Sequence, residues 1–166
     1  MTGFVFCPFC NDPLNKGIID NYERNYCSSC SYVHYIYPIP ATAAIGQLEN
    51  KILLIKRGME PGKGVWTFPS GFMEAGETPE ESCLRELFEE TGMEGESLKL
   101  INAYHEYSQM YGDLLLLVYH VILKPGIPYP GDDADETELV PIDDITDLKF
   151  RCFNLAFKEL KKPNNI

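Results

Sequence analysis

Glu86, Glu89 and Glu90 stand at positions i, i+3 and i+4. Helical neighbours lie three and four residues apart, so on a helix these carboxylates share one face and repel one another unless cations neutralise them. Such a donor set suits a hard divalent ion, and Mg²⁺ or Mn²⁺ held on carboxylates is suited to chemistry on phosphate. Hydrolysing a pyrophosphate requires neutralised phosphate charge, a positioned water and activation of that water. Upstream, Ser70-Gly71 opens a loop that runs through Gly76-Glu77 towards the acids. Glu77 and Arg85 read as a buried ion pair fixing this loop to the helix, since removing either would strand the other's charge. Lys56, Arg57 and Lys63 precede the loop and are placed either to meet substrate phosphates or to serve as surface cations.

The helix that must carry the acids is well punctuated. Thr78 is its N-cap, Pro79 its first residue, Glu81 completes a capping box and Gly92 stops it. Cys83, Leu84, Leu87 and Phe88 give it an apolar stripe, so it can pack and still present the carboxylates. Residues 41–48 and 52–57 are two apolar runs separated by Glu49-Asn50-Lys51, which predicts a hairpin. Trp66-Thr67-Phe68 is a short extended piece, with Trp66 packing beneath the site, and residues 98–107 and 114–123 are strands joined around Gly112-Asp113. The segment from Lys124 to Asp135, rich in proline and glycine, is a long loop. Phe150, Phe153, Phe157 and Leu160 mark a last helix covering the sheet, with Lys158, Lys161 and Lys162 at its negative end. Mixed strands with one central and one C-terminal helix make an α/β sandwich.

Ahead of this, Cys7-Pro-Phe-Cys10 and Cys27-Ser-Ser-Cys30 are two knuckles separated by 16 residues. Four thiolates so spaced suit a tetrahedral, structural Zn²⁺ site. A segment this short cannot bury a sufficient core alone, so the metal would supply its folding free energy. Cys83 and Cys152 read as small core residues, and His34 as a packed or hydrogen-bonded ring, the cysteine set being complete. Prolines in Tyr35-Ile-Tyr-Pro38-Ile-Pro40 exclude helix and mark a connector, giving a zinc ribbon over residues 1–37 and a catalytic domain over 38–166.

The chain has 166 residues, a formal net charge of -11 and 45% hydrophobic residues, enough for one medium domain with an appendage. Its charge repels polyanions, which makes nucleic acid a poor partner. Within residues 1–36, Lys16 and Arg24 face Asp12, Asp20 and Glu23, so the ribbon also lacks a basic footprint; docking on the catalytic domain or in a homodimer is expected instead. The start Met1-Thr-Gly-Phe-Val-Phe-Cys7 has no basic-then-apolar pattern, and no apolar run has membrane-spanning length, so a soluble cytoplasmic protein is expected.

The full pattern is Gly71, five residues, Glu77, seven residues, Arg85-Glu86-Leu87, one residue, Glu89-Glu90, one residue, Gly92-Met93. It resembles the Nudix box, the signature of the Nudix hydrolases, and the resemblance covers roughly residues 40–160. Met93 stands where that family more often has Ile, Leu or Val. The resemblance implies an α/β/α sandwich with a mixed sheet, and it implies metal ligation by Glu86, Glu89 and Glu90 together with the backbone carbonyl of Ser70. Gly71, Glu77, Arg85 and Gly92 are then its scaffold. Many members also use an acid on a later loop; Glu136 matches best, with Glu138 as the alternative. A ribbon ahead of such a domain is similar to NADH pyrophosphatases, whose Ser-Gln-Pro-Trp-Pro-Phe-Pro motif is met only by Ser108-Gln109, and looks closer to shorter relatives acting on ADP-ribose or FAD. The implied activity is hydrolysis of a nucleoside diphosphate linked to another group, ADP-ribose, FAD or NADH, releasing AMP and a second phosphorylated product. Removal of damaged nucleoside triphosphates and a non-catalytic ADP-ribose or NAD sensor are the alternatives.

Overall fold

The computed structural model describes residues 4–162; Met1, Thr2 and Gly3, the start of the N-terminal stretch without a basic-then-apolar pattern, lie outside them. The chain divides after Pro38 into two units. In the first, strands β1 (Asn15–Ile19), β2 (Tyr22–Tyr26) and β3 (Val33–His34) form a three-stranded antiparallel sheet. The two knuckles turn alike. Asn11, after Cys10, and Ser31, after Cys30, both have positive φ, and the Cys7 and Cys27 amides donate to the carbonyls of Asp12 and Tyr32 at 2.8 and 2.7 Å. His34 is packed: its ring meets Phe4 edge-on at 4.8 Å and its Nδ1 lies 3.3 Å from the Tyr32 hydroxyl.

The second unit is a mixed sheet between two helices. β4 (Ile39–Leu48) and β5 (Lys51–Arg57) are joined by Glu49-Asn50 alone. Lys51, expected in the turn, begins β5 opposite Leu48, because the positive φ of Glu49 closes the hairpin in two residues. β6 (Trp66–Thr67) pairs with β5 and β7 (Ser70–Phe72) with β4. The helix α1 (Pro79–Thr91) follows, then the long hairpin β8 (Gly95–Ser108) and β9 (Gly112–Leu123), β10 (Ala134–Pro141) and α2 (Arg151–Leu160). The main path of the sheet runs β10-β5-β4-β9-β8, with β4 and β9 parallel and the other neighbours antiparallel.

Strand alternation sends side chains to two cores. Ala41, Ala43, Ile45, Ile52 and Leu54 face α2 through Cys152, Phe153, Ala156, Phe157 and Leu160. Ala44, Leu53, Tyr119 and Val121 face α1 through Cys83 and Leu87. One helix therefore lies on each face, which makes the α/β/α sandwich. Trp66 packs at the edge of the α2 core, and Cys83 and Cys152 are buried. Among the described residues no helix is long and apolar enough to cross a membrane.

Candidate active site

α1 begins with the full capping box: Thr78 Oγ1 accepts from the Glu81 amide at 3.2 Å while Glu81 Oε2 accepts from the Thr78 amide at 2.8 Å. It ends on Gly92 in the left-handed region, whose amide donates to Phe88 O at 2.7 Å. Beyond it, the loop ahead of β10 is tied to the open carbonyls of the last turn. Tyr129 N–H donates to Thr91 O at 3.0 Å and Gly131 N–H to Glu90 O at 3.1 Å, which delivers Asp132 and Asp133 to the same end of the helix.

The carboxylates reach across β7 because Gly71 has no side chain; a Cβ there would coincide with the Glu86 carboxylate. Arg85 gathers them. Its Nε and Nη2 meet the two Glu77 oxygens at 2.5 and 3.0 Å, its Nη1 meets Glu86 Oε1 at 2.7 Å and Glu89 Oε2 at 2.9 Å, and Nη2 also donates to Phe72 O at 3.0 Å. The pair with Glu77 is half-buried rather than buried, with side-chain exposures of 27% for Arg85 and 19% for Glu77, the guanidinium reaching three carboxylates at once. This contact holds Glu77 down to about pKa 2. Glu90, 4% exposed, turns inward, and its Oε2 accepts from the Ser70 amide at 2.8 Å. Burial pushes its pKa up to about 8 against that hydrogen bond, with the Glu86 charge adding to the rise, and burial also raises Glu86.

These acids form one end of a cavity of about 580 Å³, a volume suited to a small-molecule ligand. Arg57, Ser70, Gly71, Glu86, Glu89 and Glu90 line it, as do Asp132 and Asp133, which the sequence reading missed. The acidic run Asp132-Asp133 after Gly131 was the available signal. Arg57 is held at the rim by its Nε, which donates to Pro61 O at 2.8 Å. Lys56, Lys63 and Glu136 are not in the lining. Glu136 belongs to β10 rather than to a loop: it lies opposite Lys56 of β5, and the two form an ion pair at 2.8 Å on the exposed strand surface. Glu138 is also exposed, within the same strand.

The donor chemistry fits two kinds of ion. Carboxylate oxygens from one helix face and a backbone oxygen at Ser70 suit Mg²⁺ or Mn²⁺. In the first unit, the sulfur atoms of Cys7, Cys10, Cys27 and Cys30 all lie within 4.8 Å of one another. Their separations of 3.4, 3.4 and 3.6 Å compare with about 3.8 Å for the edge of a Zn–S tetrahedron. This is the only cluster of three or more ligating side chains so converged among the described residues.

The chain is similar to known proteins. The NUDIX domain family model matches residues 38–158. The ADP-ribose pyrophosphatase of Methanocaldococcus jannaschii is 37% identical over 120 residues, which are 72% of this chain and 71% of the relative. The NAD-capped RNA hydrolase NudC of Vibrio parahaemolyticus is 33% identical over 95 residues, 57% of this chain but only 35% of that longer protein. The crystal structure of a NUDIX hydrolase from Nitrosomonas europaea superposes with a TM-score of 0.76 at 28% identity, over 95% of this chain and 90% of that one.

Proposed function

The chain belongs to the NUDIX family, and on that premise we propose that it hydrolyses the pyrophosphate bond of a nucleoside diphosphate linked to a second group, ADP-ribose foremost, releasing AMP and a second phosphorylated product. The observation that carries this reading is that Glu86, Glu89 and Glu90 line one cavity together with Arg57 and with the aromatic rings of Phe72, Tyr111, Phe150 and Phe153, a site for a ligand with an anionic and an aromatic part. Similarity to an ADP-ribose pyrophosphatase supports the choice of substrate.

In this mechanism Glu86, Glu89 and Glu90, with the Ser70 carbonyl, would hold Mg²⁺ or Mn²⁺. A bound divalent ion would neutralise phosphate charge and make water a better nucleophile at neutral pH. Arg85 orients Glu86 and Glu89 and ties them through Glu77 to the loop after β7. The Ser70 amide fixes Glu90. Arg57 is the cation of this rim available to a substrate phosphate, and Asp132 or Asp133 takes the auxiliary acidic role otherwise expected of Glu136. Residues 1–37 act as a zinc ribbon stabilised by Cys7, Cys10, Cys27 and Cys30, and 38–166 as the hydrolase. The net charge of -11 supports a small metal-bridged substrate over nucleic acid. We further propose a homodimer working in the cytoplasm, for which light scattering and fractionation are the checks.

The test is turnover with Mg²⁺ of ADP-ribose, FAD, NADH, dinucleoside polyphosphates and nucleoside triphosphates, with products identified. ADP-ribose is expected to lead, giving AMP. Glu89→Gln and Glu90→Gln should each lose at least about a hundredfold in kcat with an unchanged melting temperature. Normal turnover in both would end the metal-ligand assignment, and ligand binding without turnover in the wild type would favour a sensor.

A further inference from the structure

Of the acids that line the cavity, Glu106 is the one carried by the β8–β9 hairpin. Glu106 lines it from β8, whereas Glu86, Glu89 and Glu90 enter from α1. The register runs Phe72 to Ala41, Ala41 to Leu116 and Leu116 to Tyr104, so β8 lies three strands from β7, on the order of 14 Å at about 4.8 Å per strand. Glu106 sits one alternation beyond Tyr104, on the same face of the sheet and opposite Leu114.

Its carboxylate is held from several sides. The Cys152 amide, in the first turn of α2, donates to Oε2 at 3.4 Å, and the Tyr107 amide donates to Oε1 at 3.3 Å. Phe150, the N-cap of α2, makes no side-chain cap bond, so Glu106 supplies from another strand an acceptor that the helix start lacks. The positive end of α2 favours a carboxylate at this place. The Cys152 thiol is pushed up to about 12, first by burial and then by its hydrogen bond to Glu106, so it stays a protonated donor to that group. The same cavity is lined by Leu114, which lies opposite Glu106 on β9, by Phe150, and by the Phe72–Tyr111 pair, whose rings meet edge-on at 4.9 Å.

We propose that Glu106 is the nucleobase-selecting residue of this cavity, accepting a hydrogen bond from the exocyclic amine of adenine while the base lies against Phe72 and Tyr111. The inference rests on the hydrolase reading for its choice of ligand. An ionised carboxylate offers acceptors and no donor, so it discriminates for a base edge that carries an amine and against one that carries nothing. The Glu86 carboxylate lies against Gly71 of β7, three strand spacings from β8, so a nucleotide can span the two with its phosphates at one end and its base at the other. A neutral apolar wall would hold any base alike; a carboxylate whose remaining acceptor capacity is desolvated without an amine to meet it is a penalty for the wrong base.

The experiment is calorimetric binding, in magnesium buffer, of AMP and of purine riboside 5′-monophosphate, which is the same nucleotide without its 6-amino group. Wild type should bind AMP about tenfold or more tightly over the analogue, the effect of one hydrogen bond to a charged acceptor. Glu106→Leu should bring the two to within about twofold, and Glu106→Gln, which keeps an acceptor oxygen, should fall between. The kcat/KM ratio of ADP-ribose to its desamino analogue should follow the same order. Equal affinities in wild type, no binding of AMP, or a preference that survives in Glu106→Leu would overturn the assignment. The wild-type comparison needs no variant to fold. Amine-dependent binding without hydrolysis of any diphosphate would remove the hydrolase reading and keep the subsite; hydrolysis of ADP-ribose and its desamino analogue at equal rates would do the reverse.

Discussion

Arg85 supplies the cation that the spacing of the three glutamates demands. Its guanidinium binds Glu77 with two parallel hydrogen bonds and bridges Glu86 and Glu89 through a single nitrogen. A lysine has the charge but not the fork, so it could not reproduce this geometry. The contact has a pH consequence with a definite sign. Glu77 is held at about 2, below its ordinary value of 4.5, first by the Arg85 hydrogen bond and then by the Glu74 amide. Its folded pKa is depressed, so its contribution to stability is complete above about pH 4.5 and is lost as pH falls from there towards 2. Unfolding followed by circular dichroism across that window should show wild type losing stability more steeply than Glu77→Gln; parallel curves would refute the linkage. Gly71 is the second single-residue constraint. Its backbone is not in the left-handed region, so the reason for glycine is room: a Cβ would occupy the place of the Glu86 carboxylate. Gly71→Ala should therefore cost at least about tenfold in kcat with little change in substrate KM, read by steady-state kinetics.

At the scale of elements, α1 is stabilised by its own ends. The reciprocal Thr78 and Glu81 bonds satisfy N-terminal amides, and Glu81 is lowered in pKa mainly by the Thr78 amide. Thr78→Ala should cost about 1 kcal/mol, which for a chain of this size lowers the melting temperature by about 2–4 °C; calorimetry giving no shift would show the box to be idle. This helix was legible in the sequence because every signal that sets it is local: cap, first proline, apolar stripe and terminal glycine lie within fifteen positions. The same locality made the cysteine knuckles readable. The setting of Glu136 was not legible for the opposite reason. Its environment depends on β10 pairing with β5, which sets it against Lys56, a residue 80 positions away, and no local pattern reports that register. Asp132 and Asp133 depend in turn on hydrogen bonds from Tyr129 and Gly131 to the end of α1. The base end of the cavity was least visible, since Phe72, Glu106, Tyr111 and Cys152 come from β7, β8, the turn after it and α2. None belongs to a motif with the others.

Across the whole molecule the two units are stabilised by different physics. Residues 39–162 bury two aliphatic and aromatic cores, one on each face of the sheet. Within residues 4–38 the only buried side chains are Cys7 and Cys27, at 2% and 1% exposure, while Phe9, Ile18 and Tyr22 stand open. Three short strands with no apolar core offer little to offset the entropy of ordering them, and on the zinc-ribbon proposal the free energy comes from metal binding at the cysteine cluster, which in comparable sites contributes on the order of 10 kcal/mol. The sulfur separations suit Zn²⁺. Chelation of the intact chain should therefore abolish amide hydrogen-exchange protection in β1 and β2 while α1, β4 and β9 keep theirs, and Cys27→Ser should do so without a chelator. Residue-resolved exchange measures both. Protection of β1 and β2 that survived complete zinc removal would mean that this unit has a source of stability other than its metal, and loss of protection in β4 along with them would mean that the large sheet depends on the ribbon.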